Sequence, residues 1–293
     1  MNTREGLRDR LARPEILLAP GVYDSLTATI AQTAGFEALY LSGAAVSYTR
    51  LGRPDIGLTS FTEMAETMAL IRDRIDIPVI VDADTGFGNA LNAQRTMRMY
   101  ERAGASALQV EDQTYPKRCG HLANKTLICA SEMAGKISAM ADARLNEETL
   151  LIARTDANAV EGLQAAIDRA ELYLEAGADT LFIEAPKSIN ELSKIATHFK
   201  GRVPLLANMV EGGETPIKSA TDLEAMGYSI VIFPGGIVRA LMKTAEAYYH
   251  NLHEDGSNRL FADKMYDFGG LNERLETQAL LSLGKRYERF GER

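Results

Sequence analysis

The feature that most constrains this chain is a count. Eight short apolar, β-branched runs recur along it, at residues 16–18, 38–41, 79–82, 107–111, 150–154, 180–184, 205–208 and 230–233. They read as continuous rather than alternating, the pattern of parallel strands covered on both faces. Helical stretches separate most of them, and three open on a capping-box pattern, Ser60/Glu63, Ser188/Glu191 and Thr221/Glu224. Four runs follow one local phrase: Ala-Gly-Phe at 34–36, Ala-Gly-Ala at 103–105 and again at 176–178, and Met-Gly-Tyr at 226–228. The glycine in each suits a left-handed helix stop. Helix, glycine stop and buried strand are the local signature of βα units, and eight such strands predict an α/β protein of the closed (β/α)8 TIM-type barrel class. A doubly wound open sheet is the competitor, but no GxGxxG follows the first run and no Gly-rich loop ends in Lys-Ser/Thr. With no linker or low-complexity segment, residues 1–293 are assigned to a single barrel domain with 241–293 as a C-terminal helical extension.

Charge narrows the function classes. The chain carries 32 Lys and Arg against 40 Asp and Glu, a net charge of −8, with no long basic block. That leaves no footprint for nucleic acid or an anionic membrane and points to a small-molecule partner. The N-terminal stretch lacks an apolar signal core, and no run approaches the ~18 apolar residues of a membrane span, so a cytoplasmic protein is expected. Two cysteines, Cys119 and Cys129, are too few for a disulfide framework, which fits a reducing compartment.

Parallel barrels place their chemistry at the carboxyl ends of the strands. The residues there are polar: Ser42-Gly43-Ala44, Asp82-Ala83-Asp84, Glu111-Asp112, Arg154-Thr155-Asp156, Glu184 and Asn208. Acids gathered at one end repel unless a cation lies among them. Oxygen-only ligands suit Mg²⁺ or Mn²⁺ rather than a histidine-rich zinc site. Taken singly, each acid could instead cap a helix or pair with Arg154 or Lys117.

The segment Pro116-Lys117-Arg118-Cys119-Gly120-His121 follows the fourth run and reads as a mobile loop. Its flanking charges predict a Cys119 thiol drawn toward neutral pKa, able to donate or accept a proton. Lys117, Arg118 and Arg154 offer carboxylate-binding groups, so an anionic substrate is expected. Cys129, inside Thr-Leu-Ile-Cys-Ala, reads as a small packing residue.

Five phrases carry a family resemblance: Leu-Ser-Gly at 41–43, Val-Asp-Ala-Asp-Thr-Gly-Phe-Gly at 81–88, Val-Glu-Asp-Gln at 110–113, Lys-Arg-Cys-Gly-His at 117–121 and Ala-Arg-Thr-Asp-Ala at 153–157. In order and spacing they resemble the isocitrate lyase/phosphoenolpyruvate mutase superfamily over most of the chain. The resemblance implies Mg²⁺ held directly by Asp84, with Asp82, Glu111 and Asp55 around its water shell. It implies Ser42, Gly43 and Ala44 at the 2-oxo-acid end of the ligand, Lys117 and Gly120 beside it, Arg154 and Asn208 on carboxylates, and Glu184 supporting Arg154 or the loop. Cys119 would be the proton donor, Tyr40 matches a tyrosine proposed as a base, and Arg118 and His121 would stabilise an enediolate. The implied reaction is retro-aldol cleavage of a 2-hydroxy-dicarboxylate or tricarboxylate, of the 2,3-dimethylmalate or 2-methylisocitrate type, to pyruvate plus a carboxylic acid. Gly-His-Leu at 120–122, where methylisocitrate-cleaving relatives read Gly-His-Arg, leans toward the dicarboxylate. An oxaloacetate hydrolase or decarboxylase is the alternative, and a non-catalytic barrel the third reading. Apolar positions at 241–252 and 261–290 predict packing against another subunit, in a homodimer or homotetramer.

Overall fold

The computed structural model describes residues 6–288. Eight parallel strands form its centre: β1 (Leu17–Val22), β2 (Leu39–Leu41), β3 (Val79–Asp82), β4 (Ala107–Glu111), β5 (Leu150–Thr155), β6 (Thr180–Ile183), β7 (Leu206–Asn208) and β8 (Ile230–Phe233). Their neighbour order, β6-β5-β4-β3-β2-β1-β8-β7, is that of a ring cut once, and a parallel bridge from Leu181 to Leu205 spans the cut. The (β/α)8 barrel expected from the sequence is present.

Strand alternation sorts the side chains. Val79, Val81, Leu108, Val110, Leu151 and Leu181 face the surrounding helices in the larger apolar cluster. Leu17, Tyr40, Ile80, Ala107, Ile152, Phe182, Leu206 and Ile230 fill the barrel with a second cluster, and Leu7 from the N-terminal helix Leu7–Leu11 joins it. Two positions beyond the inward apolar residues stand Ser42, Asp82, Gln109, Arg154, Glu184 and Asn208, with Glu111 two beyond Gln109. The period of the strand alone thus aims a ring of polar side chains into the carboxyl-end mouth.

Local signals held in most places. Gly35, Gly104, Gly177 and Gly227 take φ of 94°, 96°, 109° and 107°, as helix stops require. Ser60 and Glu63 form the full capping box of helix Phe61–Arg72. At Ser188 only half forms, because Glu191 turns its carboxylate to the Lys187 amide and Asn158. The third box is corrected: Ser219 and Asp222 cap helix Ala220–Met226, while Glu224 accepts from the Ile16 amide. The first strand also runs four residues further than its apolar run, through Pro20 and Gly21 to Val22. A Cβ at Gly21 would lie 2.2 Å from the Pro234 carbonyl oxygen, so this close crossing of β1 and the β8 end needs glycine.

The chain divides into two compact units, up to Val238 and from Arg239. The second unit begins within helix Gly236–Asp255 and continues through a 3-10 turn, Arg259–Lys264, and helices Phe268–Arg274 and Thr277–Glu288. Phe261 is buried against the Tyr248 ring at 5.5 Å. Met242, Tyr249, Tyr266, Phe268, Leu280, Leu281 and Tyr287 are exposed, Phe268 by 86%. Phe290 lies outside the described residues.

Candidate active site

Asp82 organises one side of the mouth. Its Oδ1 accepts the Asp84 amide at 3.1 Å and its Oδ2 the Gly43 amide at 3.3 Å, so one carboxylate ties the end of β3 to the turn after β2. A Cβ at Gly43 would meet Asp82 Oδ2 at 3.1 Å. Ser42 caps the short helix Gly43–Val46 by accepting the Ala45 amide, and Ala44 is half-buried beside it. Asp84 itself takes φ of +45°, a left-handed conformation sparsely used by non-glycine residues and typical of sites that aim a side chain.

Across the mouth, Arg154 is held by three carboxylates. Asp156 accepts from Nε at 3.0 Å and Nη2 at 3.1 Å, Glu111 Oε2 lies 3.2 Å from Nη1, and Glu184 Oε2 lies 3.9 Å from Nε. The guanidinium also sits 5.3 Å over the Phe182 ring. Five N–H donors minus these contacts leave capacity for an incoming carboxylate. Asn208 Nδ2 donates to Glu184 at 3.3 Å, which turns its buried Oδ1 inward without a partner. That oxygen suits a donor, not a carboxylate. Tyr40 donates its phenol to Gln109, whose Nε2 reaches Glu111 Oε2 at 3.5 Å.

The loop after β4 is folded down over these groups. Thr114 and Thr126 pair through backbone at 2.8 Å, a bridge joins Gln113 to Leu127, and the Gln113 amide clasps both backbone ends of Arg118. The Cys119 amide donates to the Asp55 carbonyl at 3.1 Å. Lys117 Nζ lies 2.7 Å from Asp55 Oδ1 and 2.7 Å from Asp84 Oδ1. His121 accepts the Glu214 amide on Nδ1 at 3.0 Å, which leaves its proton on Nε2, 3.0 Å from Glu184 Oε1. Gly120 passes so close that a Cβ there would meet Arg154 Nη2 at 2.5 Å. Arg118 turns outward, exposed and bonded to the Ala123 carbonyl at 3.2 Å, so its side chain is not among the mouth groups.

A family model described as phosphoenolpyruvate phosphomutase matches residues 7–253. The chain belongs to this phosphoenolpyruvate mutase/isocitrate lyase family. It is 47% identical over 260 residues to a 2-methylisocitrate lyase of Aeropyrum pernix, covering 89% of this chain and 83% of that one. It is 39% identical over 287 residues to a 2,3-dimethylmalate lyase of Eubacterium barkeri, covering 98% and 99%. A crystal structure of 2,3-dimethylmalate lyase superposes with a TM-score of 0.91 at 34% identity over 96% of this chain and 94% of that one. A phosphonopyruvate hydrolase complexed with oxalate and Mg²⁺ superposes at 0.87 and 31% identity over 98% and 99%.

Around the mouth of this family member, six of the described buried carboxylates, Asp55, Asp82, Asp84, Glu111, Asp156 and Glu184, have as ion-pair partners Lys117, Lys125 and Arg154, while buried Asp112 is matched by Arg169. The imbalance shows in their protonation. Burial pushes Asp84 up to about 7 despite Lys117, and pushes Glu111 well above the usual carboxylate range despite Arg154. Burial raises Glu184 too, but Arg154 and His121 outweigh it and leave the carboxyl below its ordinary value. Glu111 Oε1 is buried with no hydrogen-bond partner. An excess of buried acid with an orphaned oxygen fits a hard divalent cation. Among the described residues no three acid, histidine or cysteine side chains converge on one point, so such an ion would take few carboxylates directly and reach the others through water.

One expectation is corrected. Burial raises the Cys119 pKa above its ordinary value, with only the His121 amide and Arg154 pulling the other way. The neighbours that predicted a lowered pKa do not face the thiol: Lys117 is turned to Asp55 and Asp84, and Arg118 to solvent. Cys119 therefore remains a thiol, an acid rather than a base. Tyr40 is buried, and desolvation plus Asp82 raise its pKa well above the phenol value. Sequence reasoning passed over Lys125, whose buried ammonium pairs with Asp156 at 2.8 Å. No local pattern marks a loop lysine whose partner lies 31 positions away.

Proposed function

We propose that this chain is a divalent-metal-dependent carbon–carbon lyase that splits a 2-hydroxydicarboxylate into pyruvate and a carboxylic acid. The observation that carries it is the placement of Cys119 on a loop closed over an acid-rich mouth, its amide bonded to the Asp55 carbonyl. A bound Mg²⁺ or Mn²⁺ would supply Lewis-acid polarisation of the substrate's 2-hydroxyl and carboxylate oxygens. Asp84 would hold it directly, with Asp82, Glu111 and Asp55 through water.

The chain's own residues do the rest. Ser42, Gly43 and Ala44 wall the 2-oxo-acid end, and the spare N–H groups of Arg154 hold a carboxylate. An ionised carboxylate of the mouth receives the hydroxyl proton. The C2–C3 bond then breaks, leaving its electron pair on the carbon beside the second carboxylate. The Cys119 thiol gives its proton to that carbon, and the folded loop keeps water from competing. Tyr40 serves as a hydrogen-bond donor to Gln109 rather than as the base. His121, with its proton on Nε2, steadies Glu184 and the loop tip. Lys117 holds the loop to Asp55 and Asp84. Arg118 contributes nothing to the mouth in this arrangement.

Substrate size is argued from charge. Lys117, Lys125 and Arg154 are already paired with carboxylates, and position 122 is a leucine, exposed by 47%, so none of these three described cations is without a carboxylate partner to offer a third substrate carboxylate. This favours a branched dicarboxylate over a tricarboxylate. Comparing kcat/KM for 2,3-dimethylmalate and 2-methylisocitrate tests it, and a higher value for the tricarboxylate reverses the assignment.

The exposed apolar side chains of the second unit support a homodimer or homotetramer built through that unit. A light-scattering mass of one chain, 32.0 kDa, would refute this. Both cysteines are free, in keeping with a reducing compartment such as the cytoplasm, and no described helix is long and apolar enough to cross a membrane.

A further inference from the structure

Outside the residues given a chemical role above, the structure contains a buried polar chain that runs from the base of the loop to its tip. Asp112, fully buried after β4, accepts from Thr155 Oγ1 at 2.7 Å, the Asp156 amide at 2.9 Å, the Tyr173 phenol at 2.8 Å and Arg169 Nη1 at 3.3 Å. Its own carbonyl accepts the Ile128 amide at 2.9 Å, and Arg169 Nη1 donates to the Ile128 carbonyl at 3.0 Å. One aspartate therefore fixes both the far end of the loop, at Ile128, and the backbone that carries Asp156. Asp156 in turn shares its Oδ1 between Arg154 Nη2 and Lys125 Nζ. Lys125 also donates to the Gly120 carbonyl, the residue after Cys119. Its side chain is 2% exposed and that of Asp156 0%.

We infer that Lys125 and Asp156 form the latch that holds the loop down, and that Lys125 is a positioning residue for Cys119. The loop is also held by the Lys117 pairs, the His121 contacts, the Gln113 clasp on Arg118, the Tyr115 phenol on the Gly57 carbonyl at 2.9 Å and single backbone bonds. Lys125 is the group that ties the tip, through the Gly120 carbonyl, to the carboxylate that also orients Arg154. When the loop lifts, the ammonium regains water, but Asp156 loses a partner and Gly120 loses its donor, so the closed form keeps both only while Lys125 is seated. Asp156 suits this task because it stays ionised: burial alone would push it up, but Arg154 and Lys125 hold it at about 2. The latch thereby couples the loop to the arginine: the same oxygen registers both.

Only the kinetic consequence of this inference rests on the lyase reading; the closure itself is testable without substrate. In a Cys129→Ser background, which leaves Cys119 as the single thiol, the rate of alkylation by iodoacetamide reports exposure of the loop tip. Lys125→Met is expected to raise that rate about tenfold, with Lys125→Arg near the parent value, because a local opening free energy rather than global unfolding is being read. Circular dichroism and the melting temperature accompany each measurement. An unchanged rate in Lys125→Met overturns the latch, as does equal acceleration in Lys125→Arg, which would reduce the lysine to a space-filling chain. Should Lys125→Met not fold, Lys125→Gln takes its place, and an unchanged rate there overturns the latch as well. With substrate, Lys125→Met is expected to lower kcat more than it raises KM, and a change confined to KM would contradict the positioning role.

Discussion

Glu111 and Arg154 face each other in register on β4 and β5, and Arg154 Nη1 lies 3.2 Å from Glu111 Oε2. Both point inward because each follows an inward apolar residue at even spacing, Ala107 and Ile152. The pair anchors the mouth: on one side Gln109 and Tyr40 lean on Glu111, on the other Asp156 and Glu184 hold Arg154. Disturbances that reach this pair should therefore show in activity before they show in stability.

Gly120→Ala is such a disturbance. The new Cβ would meet Arg154 Nη2 at 2.5 Å and Glu184 Cγ at 2.7 Å, and both are pinned by ion pairs and cannot swing aside. The loop tip must lift instead. Activity is expected to fall about 100-fold, the scale of an ångström-level misplacement of a reacting group, with the melting temperature little changed. Unaltered kcat/KM in the variant would show that the tip does not need this approach.

Burial of Cys119 sets a pH signature. A thiol whose folded pKa is raised contributes stability that is intact below its unfolded value and is lost as pH rises through the folded one. The same shift delays the thiolate. In a Cys129→Ser background, the rate of alkylation against pH should inflect above 9.0, the ordinary thiol value from which burial raises it. An inflection near neutrality would restore the expectation drawn from the flanking charges.

That expectation illustrates what a sequence does and does not carry. The strands were legible because buried parallel strands are continuous apolar runs, and the mouth residues were legible because each lies an even number of positions beyond an inward-facing one. Strand β1 was under-read where Pro20 and Gly21 broke the apolar signal, and the reason for Gly21 lies 213 positions along, at Pro234. Neighbours in sequence misled at Cys119, since a loop turns alternate side chains to different environments: Lys117 inward to acid, Arg118 out to water. Lys125 and Arg169 were silent, and Asp112 was legible only as a strand-end acid, because their partners are set by tertiary closure across 31 and 57 positions.

The Asp112 network carries stability as well as position. Asp112→Asn removes the charge that Arg169 meets at 3.3 Å in a site where Asp112 is fully buried. Breaking one side of a buried pair costs about 3 kcal/mol, tempered here because Glu161 also binds Arg169. Urea unfolding should show a lower midpoint at unchanged slope. A loss below ~1 kcal/mol would mean that the hydroxyl and amide donors carry the site without the charge.

The metal reading has its own check. Mg²⁺ at a hundred times its dissociation constant should stabilise the parent by about 2.7 kcal/mol and leave Asp84→Asn unmoved. Equal stabilisation of both would place the ion elsewhere.

The central claim is that a metal-assisted retro-aldol cleavage ends with proton donation from Cys119. Its most direct measurement is pyruvate release from 2,3-dimethylmalate by the parent and by Cys119→Ser, each with Mg²⁺ and with EDTA, beside oxaloacetate as the competing substrate. The account predicts release that EDTA abolishes and that Cys119→Ser lowers by at least about 100-fold, the scale of a lost general acid. Turnover of oxaloacetate alone, or release indifferent to Cys119, would contradict it.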